Sequence, residues 1–172
     1  TTLYGRHAAR WGGMASFVSI PKLIFAMSHS PDQFDKDDQK QIVAAIQEAE
    51  NQTSGEIKVH IEKNCPDADV MERAKVVFGT LGMHTTKDQN GVLFYLAYED
   101  RRFAILGDKG IYEKVPADFW ESTKEKMREH FRKHEFTEGL CEGILEAGSQ
   151  LKKYFPYQSD DTNELPDDVS FG

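Results

Sequence analysis

Oxygen-bearing side chains bracket one apolar hairpin of this sequence. Asp88-Gln89-Asn90-Gly91 precede the run 92–97, and Gly107-Asp108-Lys109-Gly110 follow the run 103–106. If the two runs are antiparallel strands, Asp88, Asn90 and Asp108 return to one end of the pair. Ser54 and Glu56 open another strand-like run, and Asp118 follows on the next helix. Together these side chains form an oxygen set of the kind that hard cations such as calcium and magnesium bind. The plainer reading is turn chemistry around Asn90-Gly91 and residues 107–110, with solvated carboxylates. The residues alone favour that plainer reading.

The opposite end of the hairpin carries Glu99-Asp100-Arg101-Arg102. Asp100 is a candidate general acid there, beside an arginine suited to holding phosphate. A tip whose charges pair with one another explains the same residues more simply. Asp67-Ala68-Asp69 has the DxD form of the nucleophile in haloacid-dehalogenase-type phosphatases. Asn64-Cys65-Pro66 separates it from the preceding strand, however, and the segment suits a helix start better. His130 and His134 stand four apart, a zinc-like spacing, but no HExxH surrounds them and Arg128, Arg132 and Lys133 would repel a cation. No P-loop, GxSxG elbow or GxGxxG fingerprint is present.

The elements that must position these groups follow from periodicity. Asp35 reads as the N-cap of a helix striped by Ile42, Ala45, Ile46 and Ala49, which ends over residues 51–55. Residues 56–62 alternate strictly, with Ile57, Val59 and Ile61 on one face and Lys58, His60 and Glu62 on the other. That pattern predicts a half-buried strand near a sheet edge, with His60 solvated or covered by the N-terminal segment. Pro66-Asp67 opens a second helix with Val70, Met71, Ala74, Val77, Phe78 and Leu81 inward. Strand, helix, strand implies a parallel crossover, and the short turn makes the third strand antiparallel to the second. Residues 111–115 are ambiguous. A helix from Pro116 carries Phe119, Trp120, Thr123, Met127 and Phe131. A last helix from near Thr137 carries Leu140, Ile144, Ala147, Gly148, Leu151 and Phe155, with Phe136 as a hydrophobic staple. Gly139 and Gly143, one turn apart, predict close helix packing. The expected fold is a three-layer α/β/α sandwich, its small mixed sheet built on a βαβ crossover and a core hairpin.

The 172 residues fit one domain with tails. Residues 1–34 read as an N-terminal extension, 35–155 as the domain, and 156–172 as a disordered acidic tail. Residues 1–26 hold Arg6, Arg10 and Lys22 and no acidic group. They suit a poor signal, an organellar transit segment, or sequence lying upstream of a native start at Met27. The last reading implies a cytoplasmic protein, the others an exported or organellar one. The net charge of −8 argues against nonspecific nucleic-acid binding, which needs basic groups on phosphates. No run approaches the roughly 18 apolar residues of a membrane span. Cys65 and Cys141 read as reduced, partly buried thiols, and a disulfide between them depends on geometry. A monomer is expected.

Several short motifs then occur in a telling order: Ser54-Gly55-Glu56-Ile57, Asn90-Gly91-Val92-Leu93, Glu99-Asp100-Arg101-Arg102, the 107–110 segment, and Glu138-Gly139-Leu140 leading to Gly143-Ile144. Together they resemble the TPM domain family, named for a thylakoid-lumen protein, a photosystem II repair protein and an animal acetylcholine-receptor auxiliary subunit. The resemblance covers roughly residues 35–155 and is greatest to compact bacterial members without a membrane anchor. It implies an α/β/α sandwich that binds calcium or magnesium, with acid phosphatase activity on phosphomonoesters in some members. Other members act by binding protein partners, so an interaction module using the acidic groove or tail is the competing expectation. One departure matters. Many members read Gly-x-Gly-Leu-Glu after the third strand, where this chain has Gly107-Asp108-Lys109-Gly110-Ile111-Tyr112-Glu113. The extra residue displaces Glu113 and Asp118 most. The expected metal ligands are Glu56, Asp88, Asn90, Asp108 and Asp118, and the expected catalytic residues are Asp108 and Asp100.

Overall fold

A computed structural model describes residues 7–10, by their main chain, and 34–172. Arg6, Lys22, Met27 and the apolar segment 14–25 lie outside the described residues. The elements in chain order are β1 (His7–Arg10), α1 (Lys36–Glu50), β2 (Glu56–Glu62), α2 (Val70–Thr80), β3 (Gly91–Ala97) and β4 (Arg102–Gly107). They are followed by α3 (Lys109–Lys114), α4 (Glu121–Arg132), α5 (Phe136–Leu151) and β5 (Val169–Phe171). The sheet order is β1-β4-β3-β2-β5. β2 and β3 are parallel, joined through α2, while β3 and β4 form the antiparallel hairpin. The expected crossover and core hairpin are both present.

The alternation of β2 sets up two unlike layers. Ile57, Val59 and Ile61 join Val92, Phe94, Leu96, Phe103 and Ile105 under α1, α4 and α5. The other face offers Leu93, Tyr95, Ala97, Ala104 and Leu106 to α2. Asp35 caps α1 as expected, in a reciprocal box with Asp38: Asp38 N–H donates to Asp35 Oδ1 at 2.8 Å and Asp35 N–H to Asp38 Oδ2 at 3.1 Å. Gly139 and Gly143 let α5 close on α4, since a Cβ at either would come within 2.6 Å of Phe131 or Met127. Cys65 and Cys141 are free thiols that border opposite layers, so no disulfide joins them.

The structure departs from the periodicity in four places. α2 starts at Val70, capped by Asp69, whose side chain accepts from Met71 N–H at 2.8 Å. Pro66 and Asp67 belong to the approach loop. α4 starts at Glu121, because residues after Pro116 form a turn in which Phe119 N–H donates to the Pro116 carbonyl. The ambiguous stretch 111–115 falls largely in the short helix α3, which already begins at Lys109 within the expected turn and is capped by Asp108.

The fourth departure is the largest. Residues 156–172, expected to be disordered, pack along the body and end in β5, which pairs in parallel with β2. Thr53 bridges to Pro156, Leu165 is buried in the α2 layer, and Gly172 N–H donates to the Ile61 carbonyl. β2 is therefore an interior strand, and its polar face is buried. Lys58 reaches Asp168 and donates to the Pro166 carbonyl at 2.9 Å. His60 Nδ1 lies 2.9 Å from Ser170 Oγ. The tail carries the partners these side chains need, which is why an acidic segment can hold an ordered place. His60, expected to be solvated or covered by the N-terminal segment, is buried against Ser170 of the C-terminal segment.

Candidate functional site

The start of β3 and the end of β4 meet as the hairpin requires. Asp108 N–H donates to the Gly91 carbonyl at 2.9 Å, and Glu56 N–H to the Asn90 carbonyl at 3.2 Å. The loop before β3 is held tightly. Asn90 N–H donates to Thr86 Oγ1 at 3.2 Å, and Gln89 takes a left-handed conformation at φ 49°. Gly110 N–H donates to the Gln89 carbonyl, and a Cβ at Gly110 would sit 2.3 Å from the Asp88 carbonyl oxygen. Only glycine admits that approach.

Two side chains at this edge are buried and only partly satisfied. Asn90 Nδ2 donates to the Ser54 carbonyl at 3.0 Å, yet Asn90 Oδ1 accepts nothing. Asp108 Oδ1 accepts from Lys109 N–H at 2.7 Å, yet Oδ2 has no partner. Each residue is 1% exposed. Burial pushes the Asp108 carboxyl above the usual carboxylate range, against the opposing pull of the Lys109 amide and His84. Buried acceptors without donors are costly, and they mark places where a ligand can supply what the protein does not.

The other expected residues separate. Asp88 is exposed beside this edge. Glu56 is 4% exposed, accepts from Glu164 N–H at 2.9 Å through Oε1, and faces a different cavity under the C-terminal segment. Asp118 is exposed in the turn before α4 and lines a shallow depression with Pro116, Phe119 and Ser122. It does not join the β3–β4 edge. Among the described residues no three His, Cys, Asp or Glu side chains are drawn together tightly enough to cage a metal. A cation at the edge would therefore draw on Asn90, main-chain carbonyls and water as well as Asp108.

Asp100 lies at the other end of the sheet. It accepts from Cys65 N–H at 2.6 Å and Asn64 Nδ2 at 3.0 Å, and these bonds hold its carboxyl below the usual range. An ionised carboxylate committed to two donors serves as a tie between loops, not as a proton donor. Arg102 donates to the carbonyls of Asp67 and Ala68. Arg102 thereby binds the tip to the loop before α2 and is spent on main-chain carbonyls rather than left for a phosphate. His134 lies past the end of α4 at φ 60°, while His130 Nδ1 sits 2.6 Å from Glu135, so the two rings share no zinc geometry.

Periodicity also passed over carboxylates now seen to matter. Glu50 ends α1 on its polar side, and Asp167 lies in the supposed tail. The one signal was the polar face of β2, which called for partners from somewhere.

A mixed sheet between helical layers, with buried unsatisfied oxygens at the open end of its core hairpin, defines a small α/β/α domain with a polar edge. The TPM domain profile matches residues 29–150, and the chain belongs to the TPM domain family. It is similar to the BA42 protein of the psychrophilic bacterium Bizionia argentinensis. The two share 46% identity at a TM-score of 0.80, over 85% of this chain and 100% of that one. The fold is also shared by the N-terminal domain of a P. gingivalis protein (20% identity, TM-score 0.61, 81% and 94% coverage). The N-terminal domain of the cg2496 protein from Corynebacterium glutamicum shares it too (14%, 0.57, 81% and 82%). No curated sequence matches the chain significantly. Among the described residues no helix is long and apolar enough to cross a membrane.

Proposed function

We propose that this TPM domain binds a divalent cation, calcium or magnesium, where β3 begins and β4 ends. The observation that carries the reading is the pair of buried acceptors without donors, Asn90 Oδ1 just before β3 and Asp108 Oδ2 just after β4, at one end of the hairpin. Both are hard oxygens, and Asp88 adds an exposed carboxylate beside them. A cation held there would supply Lewis-acid polarisation of a phosphoryl oxygen. Asp108 is the residue of this set placed to hold or pass a proton, its carboxyl being raised by burial. Phosphomonoester hydrolysis is the chemistry such an edge would serve.

Titration with calcium and magnesium, followed by backbone amide shifts, tests the reading. Asn90, Gly91, Asp108 and Lys109 should move together, and Asp108→Asn should abolish the movement. Amides at those four positions that stay still at millimolar cation would remove the site. Turnover of a generic phosphomonoester should be lost in the same variant. Cation binding without turnover would place the chain with the family's interaction modules instead.

A further inference from the structure

A cavity of about 200 Å³ opens between the end of α1, the start of β2 and the C-terminal segment. That volume is room for roughly six waters at about 30 Å³ each. Glu50, Glu56 and Asp167 line it, with Tyr157 and Asn163 exposed at its rim. Each acid is held by a neighbouring group. Glu50 Oε1 accepts from Ile57 N–H at 2.8 Å, Glu56 Oε1 from Glu164 N–H at 2.9 Å, and Asp167 Oδ1 from Asn163 Nδ2 at 2.9 Å.

Among the described residues that line the cavity, none is basic. Glu50 also sits at the C-terminal, partially negative end of α1, whose last turn carries no basic residue. Burial first, and then the surrounding acids, push Glu50 up to about 9 and Glu56 above the usual carboxylate range, although amides of Ile57, Glu164 and Leu165 favour the charged forms. Two further observations say what the cavity lacks. Glu56 is 4% exposed and lines the cavity, yet its Oε2 has no hydrogen-bond partner, so a buried oxygen is left without a donor. The acids are also spaced too widely for a metal ion: among the described residues no three His, Cys, Asp or Glu side chains could hold one. A ligand that answers both must bring positive charge together with several donors spread over its own frame.

We infer that the cavity receives the guanidinium of an arginine side chain presented by a partner protein, with Glu50, Glu56 and Asp167 as its acceptors and Tyr157 beside it. A guanidinium is planar and carries five N–H donors in a fixed fork, so it bridges acceptors that no single ion reaches together. It is more weakly hydrated than an ammonium and enters a half-buried pocket at less cost. Its flat face suits the ring of Tyr157 at the rim. The volume admits the head group and part of the stem, which leaves the α-carbon outside. Asp161 also lines the cavity and Glu164 acts on Glu56, so the α-carboxylate of free arginine meets repulsion there. A peptide linkage carries no such charge, and this difference selects chain-borne arginine over the free amino acid. The site shares no acceptor with the Asn90–Asp108 edge and does not depend on the cation proposed there.

The experiment titrates the full chain with Nα-acetylarginine amide and follows backbone amide shifts. Ile57, Glu164 and Asp167 should move together at millimolar ligand. Asp167→Asn or Glu50→Gln should weaken binding about tenfold, the scale of one lost charge-assisted bond. Tyr157 is 51% exposed, so Tyr157→Ala leaves the core intact and should weaken binding severalfold. The matching lysine derivative and free arginine should each bind more weakly, and urea, the neutral isostere, should leave these amides still. Asp108→Asn should not alter the response, which separates this site from the one at the β3–β4 edge. Amides that stay still at high millimolar ligand would overturn the inference, and a proton shared by Glu50 and Asp167 would then satisfy the cavity. Equal shifts with the lysine derivative or with urea would overturn the guanidinium assignment. So would affinity untouched by Asp167→Asn or abolished by Asp108→Asn. Tighter binding of free arginine would overturn the protein source.

Discussion

Arg73 of α2 grips the carboxylate of Glu62 at the far end of β2, its Nε 3.0 Å from Glu62 Oε2 and its Nη2 on Oε1. The same carboxylate accepts from Tyr95 Oη at 2.5 Å and contacts His60 Nε2 at 3.1 Å. Two strands and a helix thus converge on one buried acid, 4% exposed. Burial alone would raise Glu62, but the bonds from Arg73, Tyr95 and His60 outweigh it and hold the carboxyl at about 2.

That depression makes the fold acid-sensitive in a defined window. A carboxylate lowered from 4.5 to about 2 on folding contributes stability that is complete above pH 4.5 and is lost as pH falls toward 2. The contribution is on the order of 3 kcal/mol at neutral pH. His60, lowered by burial, begins to oppose folding earlier, as pH drops below 6.5. Denaturant unfolding across this range should therefore show stability declining in two stages. Glu62→Gln should remove most of the decline below pH 4.5 and lower stability at neutral pH. An unchanged slope in the variant would show that the decline originates elsewhere.

Removal of residues 164–172 should destabilise the domain although every charged side chain it takes away is acidic in an already acidic chain. Leu165 would leave the α2 layer, Lys58 would lose Asp168, and β2 would become an open edge. Loss of Leu165 burial alone is worth about 2 kcal/mol, or roughly 4–8 °C in melting temperature for a chain of this size. Faster hydrogen exchange at Val59–Ile61 should accompany it. A melting point within a degree of the full chain would mean the segment is not held as described.

Two glycines should respond to alanine with opposite signs. At Gly148 a Cβ would stand 2.7 Å from Ala49 Cβ and 2.8 Å from Ala49 Cα, so α5 must move off α1. Overpacking of that kind costs about 1–3 kcal/mol and outweighs the ~1 kcal/mol gain in helix propensity. At Gly79, near the end of α2, a Cβ meets nothing within 4 Å. Gly79→Ala should stabilise by roughly 0.5–1 kcal/mol. Chemical denaturation of both variants decides the point, and the same sign for both would contradict the packing.

Asp100→Ala separates structure from chemistry at the hairpin tip. The substitution strips acceptors from the Cys65 amide and the Asn64 side chain, at a cost of about 1–2 kcal/mol. Cation binding at the Asn90–Asp108 edge should be unaffected, and so should any phosphomonoester turnover. A large loss of turnover without loss of stability would restore Asp100 to a catalytic role.

The hairpin was readable because its signals are local: two apolar runs, a charged tip, and turn residues at both ends. α1 was readable down to its N-cap, Asp35, while the reciprocal bond from Asp38 that completes a capping box came only from the structure. The start of α2 was not, because Pro66-Asp67 and Asp69 are both acceptable openings. The choice of Asp69 goes with the contact that Arg102 makes to the carbonyls of Asp67 and Ala68, a contact 34 or more positions away in sequence. The site residues divide the same way. Asn90 and Asp108 meet through hairpin register, which periodicity predicts. Asp118 was placed by continuation along the chain, and the turn after Pro116 carried it elsewhere.

Local chemistry by itself determined the strands, the helix stripes, the parallel crossover and the return of Asn90 and Asp108 to one edge. Such features depend on side-chain period and short turns, which act over a few residues. Tertiary structure alone decided what covers the polar face of β2. Alternation says that Glu56, Lys58, His60 and Glu62 point together, but not whether they meet water or protein. Here Arg73 and Tyr95 meet one end of that face and residues 164–170 meet the rest, because burying those groups is affordable only when each finds a partner. The same docking gathers Glu50, Glu56 and Asp167, three acids from segments that share no local pattern.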